Sequence, residues 1–261
     1  MTDTVKVEIK GDIVVVMLNR SEAFNAFDMS TVASLTDVLV ALAADSSVRG
    51  VVISGSGKAF CAGGDLKWAS SHKNGPPAAF HELAARFHSA VTEIRRMPKP
   101  VIAAVNGVAA GGGFSLALAC DFRVLATSAV LKQAYSSNGL CIDGGGTFSL
   151  PRLVGLARAM EILAFDQPIS AEQALAWGMA TKVVEDGQAL AASMDMAASL
   201  AQNALHVFGV AKQLLTDSFD TSFETQIERE RQALSKCAGH SEGKEGLAAF
   251  AQKRKPKFRQ G

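Results

Sequence analysis

A chain of 261 residues, 48% hydrophobic and 20% charged, has the apolar material for one large domain, or for one domain with an appendage. Its formal net charge of +1 supplies no broad field for drawing in nucleic acid or an anionic membrane surface. Cys61, Cys120, Cys141 and Cys237 lie far apart with no CxxC pair, which reads as reduced, mostly buried thiols of a cytoplasmic protein rather than a disulfide or zinc framework.

The N-terminal "MTDTVKVEIK" is polar and lacks an apolar h-region, so no signal peptide is expected. No apolar run reaches the ~18 residues of a membrane helix. "VKVEI" alternates, "KGD" turns, and "IVVVMLN" reads as a strand buried on both faces. "MSTVASLTDVLVALAAD" has helical spacing, with Asp28 as its N-cap. "RGVVISGSG" is a second buried strand that ends in glycines. "PPAAFHELAARFHSAVTEIRRM" is an amphipathic helix stopped by Pro98 and Pro100. The strand "PVIAAVNG" leads through a glycine turn into the buried helix of "AAGGGFSLALACD". "FRVLAT" is a strand and "TFSLPRLVGLARAMEILAF" a helix. "SAEQALAWG" opens with a capping box at Ser170 and Gln173 and stops at Gly178, and "TKVVE" is a last strand. From about 188 the strands cease. An α/β core over 1–187 and an all-helical region over 188–261, packed on the core or on a neighbouring subunit, are therefore expected.

Two loops, "GKAFCAGGDL" and "NGVAAGGGFSLALACD", share a design: a buried strand, then glycines. Free N–H groups at such turns attract negative charge. Two of them converging would stabilise an oxyanion, a contribution of ~3–4 kcal/mol per donor. The same glycines also suit plain packing turns, and composition leaves both open. Nucleotide and hydrolase patterns fail: there is no GxxxxGK[ST], "GSGKAF" breaks GxGxxG, and no GxSxG occurs. "HELAARFH" spaces its histidines by seven rather than four, so zinc is not expected. His81 and His88 share a helix face and read either as solvated side chains or as a base.

"GLCIDGGGTFSL" sets Asp143 against three glycines. Asp143 or Thr147 could cap the helix that follows. Alternatively, apolar surroundings would disfavour the charge of Asp143 and fit it for proton transfer.

"AFCAGGDL", "KPVIAAVNGVAAGGGFSLALACDFRV", "GLCIDGGGTFSLPRLVG" and the ending "EGKEGLAAFAQKRKPKF" resemble the crotonase (enoyl-CoA hydratase/isomerase) superfamily through nearly the whole chain. The resemblance implies an α/β spiral of ββα units with a C-terminal all-helical trimerisation region, assembled as a trimer or a dimer of trimers. It implies an acyl-CoA thioester substrate, no cofactor beyond that coenzyme A, no metal, and no nucleic-acid or membrane partner. By motif, the oxyanion donors would be the N–H groups of Ala62 and Gly112. Ala23, Phe24, Ala62, Gly63, Gly64, Asp65 and Leu66 would flank the CoA, with Tyr135 in the site. Lys257 and Phe258 would meet CoA or an adjacent subunit.

Hydratases of the family carry two glutamates where this chain has Ser115 and Tyr135, so ordinary hydratase activity should be weak or absent. Asp143 falls where isomerases of this type hold a single catalytic aspartate. The same position matches the nucleophile of 4-chlorobenzoyl-CoA dehalogenase, whose histidine base aligns with His88 and whose tryptophan partner aligns with Tyr135. The expectation is a double-bond isomerase with Asp143 as acid and base; the dehalogenase-like hydrolase, the hydratase-type lyase and a non-catalytic acyl-CoA-binding protein are the alternatives. Trp68 and Phe80 are expected to pack rather than to line an aromatic-accepting pocket.

Overall fold

Seven valines and isoleucines in two short runs make the first hairpin. In the computed structural model, which describes residues 3–259, β1 (Val5–Lys10) pairs antiparallel with β2 (Ile13–Leu18), with Val5 opposite Leu18 and Lys10 opposite Ile13. β1 is exposed along most of its length, whereas β2 is buried on both faces as its unbroken apolar run requires. α1 (Met29–Ala44) follows, its first turn held by the Asp28 carboxylate, which accepts from the Thr31 N–H at 2.8 Å.

The chain then repeats one step. β3 (Gly50–Gly55) is followed by short β4 (Ala59–Cys61), then α2 (Leu66–Ser70) and α3 (Gly75–Arg96). β5 (Val101–Val105) is followed by β6 (Val108–Ala110) and α4 (Gly112–Ala119). β7 (Phe122–Ala126) is followed by β8 (Val130–Lys132) and α5 (Gly146–Phe165). The first strand of each step enters a six-stranded sheet of order β1-β2-β3-β5-β7-β10, and the second enters a four-stranded sheet of order β4-β6-β8-β9. β9 (Ile169–Ser170), α6 (Ala171–Ala176) and β10 (Lys182–Val184) complete both sheets. This is the expected spiral of ββα units. The expected capping box of Ser170 and Gln173 opens α6. Beyond β1 the large sheet is parallel, which requires helical crossovers and burial of both faces.

Four helices end the chain: α7 (Ala189–Leu200), α8 (Leu205–Asp217), α9 (Phe223–Gly239) and α10 (Ser241–Ala251). The change at 188 is one of secondary structure and not of packing. Ala197 of α7 and the following Ala201 are buried against Ile13, Val15, Val52, Ile102, Ala104 and Val124, forming the outer layer of the large sheet. The more peripheral helices begin with α8. It is tied down by Lys212, whose Nζ donates to Asp121 Oδ2 at 2.7 Å and to the Ile94 carbonyl at 2.7 Å. Burial pushes Asp121 up and Lys212 down, and their mutual attraction opposes both shifts. Lys212→Met therefore strands a buried carboxylate and should lower stability by about 3–5 kcal/mol in urea unfolding, with Asp121→Asn in the same chain recovering most of the loss.

Candidate functional site

Glycines let the two expected loops approach more closely than side chains would allow. Gly63 sits at φ +96°, and a Cβ there would lie 2.9 Å from the Ala110 carbonyl oxygen and 3.0 Å from the Gly112 nitrogen. Phe27 straps the first of these loops: its N–H donates to the Gly63 carbonyl at 2.7 Å, and its own carbonyl accepts from the Asp65 N–H at 2.9 Å. In such a parallel bridge the intervening residue turns its own N–H to the opposite side. Gly64 is that residue, and it lines a cavity of about 460 Å³. Gly112, at the first position of α4, lines the same cavity. Among the described residues neither the Gly64 nor the Gly112 N–H has a protein acceptor.

This corrects one expected donor. The Ala62 N–H is engaged, donating to the Phe24 carbonyl at 3.0 Å, so Ala62 contributes wall and not charge stabilisation; Gly64, two residues on, has the free N–H. Buried Asn25, at φ +58°, fixes the segment that occupies Ala62. Its side chain donates to the carbonyls of Ser56 at 2.9 Å and Ala59 at 2.8 Å, and accepts from the Arg20 N–H at 2.9 Å.

Asp143 is not a helix cap. α5 begins at Gly146 behind Gly145, with no side-chain cap, and the Gly146 N–H takes the backbone carbonyl of Asp143 at 3.0 Å. The Asp143 carboxylate instead faces the cavity and accepts the Tyr135 hydroxyl at 2.5 Å. Its side chain is 36% exposed. Ser115 Oγ donates to the Asp143 backbone carbonyl at 2.7 Å and lies 3.3 Å from the Tyr135 hydroxyl. Burial, and next the negative charge of Asp143, push the Tyr135 hydroxyl far above its ordinary range, so it stays protonated and donates. His88 Nε2 stands 3.6 Å from Asp143 Oδ2 and accepts from the Gly144 N–H at 3.2 Å.

The remaining predicted residues divide. Leu66 and Tyr135 line the cavity with Ala62, Gly64, Gly112 and Asp143. Gly63 lies behind the wall as the close-approach glycine. Asp65 caps α2, accepting from the N–H groups of Lys67 at 3.1 Å and Trp68 at 3.0 Å, and pairs with Arg20 at 3.0 Å. Exposed Phe24 meets Ala62 through its carbonyl, but neither it nor Ala23 lines the cavity. Lys257 and Phe258 lie against α10, the first donating its N–H to Glu245 at 2.7 Å and the second packing on Gly246, and neither reaches the cavity. Trp68 packs on the core as expected, whereas Phe80 lines the cavity.

Phe27 and Phe87, with ring centroids 5.1 Å apart, complete the apolar wall; nothing in their helical or loop spacing separates them from core residues. His81, Cys141 and Asn138 add polar groups. Cys141 is the exposed thiol among the four, while burial pushes Cys61 and Cys120 up to about 12. The described residues contain no cluster able to hold a metal ion and no helix long and apolar enough to cross a membrane.

Residues 8–261 match the family model described as enoyl-CoA hydratase/isomerase. The chain is 35% identical over 259 residues to 1,2-epoxyphenylacetyl-CoA isomerase of Escherichia coli strain K12, covering 99% of both chains. It is 30% identical to 4-chlorobenzoyl coenzyme A dehalogenase-2 of an Arthrobacter species, covering 95% of this chain and 91% of that one. Its fold superposes on the crystal structure of an enoyl-CoA hydratase from Polaromonas sp. JS666 with a TM-score of 0.92 and 38% identity, over 98% of this chain and 99% of that one. A crotonase-type spiral, two glycine N–H groups open to one cavity and this match along nearly the whole length lead to one conclusion: the chain belongs to the enoyl-CoA hydratase/isomerase family.

Proposed function

We propose that the protein moves a carbon–carbon double bond in an acyl-CoA thioester from the 3 to the 2 position. The observation that supports this most is that Asp143 is, among the described residues, the single carboxylate lining a cavity that also holds two unengaged backbone N–H groups. With the thioester oxygen between Gly64 and Gly112, Asp143 Oδ2 takes a proton from the carbon next to the thioester. The electron pair moves into a dienolate, whose oxygen the two N–H groups stabilise. The same carboxyl group then returns the proton two carbons away, so atoms and charge balance without a second group. Tyr135 holds Oδ1 and leaves Oδ2 for the proton. Enzymes of this family use no cofactor beyond the CoA of their substrate.

Ser115 and Tyr135 support isomerase over hydratase, since neither is the carboxylate that water addition needs. A second reading draws on His88, 3.6 Å from Asp143 Oδ2: Asp143 as nucleophile and His88 as base, in the manner of a dehalogenase. Incubation with 3-enoyl-, 2-enoyl- and 4-chlorobenzoyl-CoA in deuterated water separates them. Isomerisation of 3-enoyl-CoA with deuterium uptake is expected. Unlabelled, persisting 3-enoyl-CoA alongside hydrated 2-enoyl-CoA would falsify the isomerase, and an aryl-enzyme trapped in a His88→Gln variant would establish the second reading.

The working form proposed is a cytoplasmic trimer or dimer of trimers, which sedimentation mass tests. Leu156 and Phe165 on α5, Phe223 and Leu234 on α9, and Phe250 on α10 are each 70% exposed or more, and such apolar side chains suit subunit contacts. Lys257 and Phe258 would then meet CoA or an adjacent subunit.

A further inference from the structure

Building on the acid–base role of Asp143, we propose that Asp166 is a positioning residue that clamps a left-handed corner at Ala134 and thereby delivers the Tyr135 hydroxyl to Asp143. Ala134 has φ +51°, a conformation costly for any residue with a Cβ, so something must hold it. Asp166 does so from the opposite end of α5. Its Oδ1 accepts the Ala134 N–H at 2.8 Å, its Oδ2 accepts the Ser137 N–H at 3.3 Å, and Lys132 Nζ lies 3.8 Å from that second oxygen. Asp166 is buried, with 8% exposure, and follows the last residue of α5 in a left-handed conformation of its own at φ +47°.

Inside the corner, buried Gln133 accepts the N–H groups of Tyr135 at 3.0 Å and Ser136 at 3.4 Å but leaves Ala134 to Asp166. Tyr135 comes next in the chain, and its hydroxyl reaches Asp143 Oδ1. One helix therefore carries the acid just before its start and the clamp just past its end. The two ends meet through a six-residue corner, 133–138, that also contributes Ala134 and Asn138 to the cavity wall. Releasing the clamp lets Ala134 relax, and the hydroxyl withdraws from the carboxylate.

Asp166→Gly separates this role from simple capping. Glycine adopts the left-handed backbone more readily than aspartate, so α5 still ends in the same way, but both acceptors are gone. The chain has a single tyrosine, so the ultraviolet absorbance of tyrosinate reports Tyr135 alone. The titratable and charged groups about it are Asp143, with His88 behind, and Lys132 and Asp166, which flank its corner. Wild type should form tyrosinate well above the ordinary midpoint of about 10. In Asp166→Gly the midpoint should move down toward it, while kcat falls about tenfold, KM holds within about twofold and the urea midpoint falls only by what two lost backbone hydrogen bonds cost. Asp166→Asn, which keeps one acceptor, should fall between. Titration and kcat both at wild-type values in Asp166→Gly would overturn the clamp, as would a loss of kcat that tracks lost stability with titration unmoved. A shifted titration in a protein with no isomerase activity upholds the clamp and overturns the isomerase reading.

Discussion

Asp143→Asn is expected to lower kcat for 3-enoyl-CoA isomerisation by about 10⁴-fold, the upper end of what a positioned acid–base group supplies. The size follows from the lack of a substitute. Among the described residues the acidic side chain at the cavity wall is Asp143 alone, and the neighbouring polar groups cannot take its place. Tyr135 is held protonated by burial and by Asp143 itself. Ser115 spends its proton on the Asp143 backbone carbonyl. The Nε2 of His88 already accepts from the Gly144 N–H, and shifting it toward substrate would break that bond. The asparagine amide oxygen can still accept from Tyr135, and the glycine N–H groups are untouched, so KM and thermal stability should stay near wild type. Deuterium exchange into the substrate should disappear with turnover, because both report the same proton abstraction. Exchange that survives in Asp143→Asn would move the base elsewhere, and His88→Gln is then the variant to measure.

How much of this was legible beforehand depends on how local each signal is. Asp28 and the Ser170–Gln173 box were readable because a cap is decided within four residues. The long strands of the large sheet were readable as apolar runs. β4, β6, β8 and β9 were not, because two or three residues carry no period; they form by pairing with distant strands, as Ala59 does with Val108. Asp143 was reached through the resemblance, not through spacing, and its freedom from capping became visible only with the helix start at Gly146. The misplaced oxyanion donor is instructive. "CAGGDL" has four consecutive N–H groups that look alike in sequence, and which one stays free is decided by Phe24 and Phe27, far away in the chain. Asp166 gave no signal, since its acceptors serve a corner some thirty residues earlier.

The oxyanion pair can be tested without touching either donor, through the glycine that sets their separation. Gly113 packs directly on β4: a Cβ there would lie 2.1 Å from the Cys61 carbonyl oxygen and 2.8 Å from its carbonyl carbon. Both are backbone atoms of a strand held in the small sheet, so they cannot swing aside as a side chain can. Gly113→Ala must therefore push α4 away from β4; Gly112 opens α4, and Gly64 lies three residues beyond the end of β4. Loss of one aligned donor costs about 10²–10³ in kcat, and kcat of Gly113→Ala should fall by that factor; overpacking should lower stability by about 1–3 kcal/mol. Gly112→Ala provides the graded comparison. Its Cβ would lie 3.1 Å from a ring carbon of Phe27, and a ring can shift by a few tenths of an ångström, so a smaller loss is expected. The ordering of the two variants carries the test. If the glycines served packing alone, activity would track urea stability in both; if they hold two donors on one oxygen, Gly113→Ala should lose far more kcat than its stability loss explains. Asp143 would still be in place in that variant, with its tyrosine partner, so residual proton exchange without efficient turnover is the signature of an intact base facing a displaced oxyanion hole.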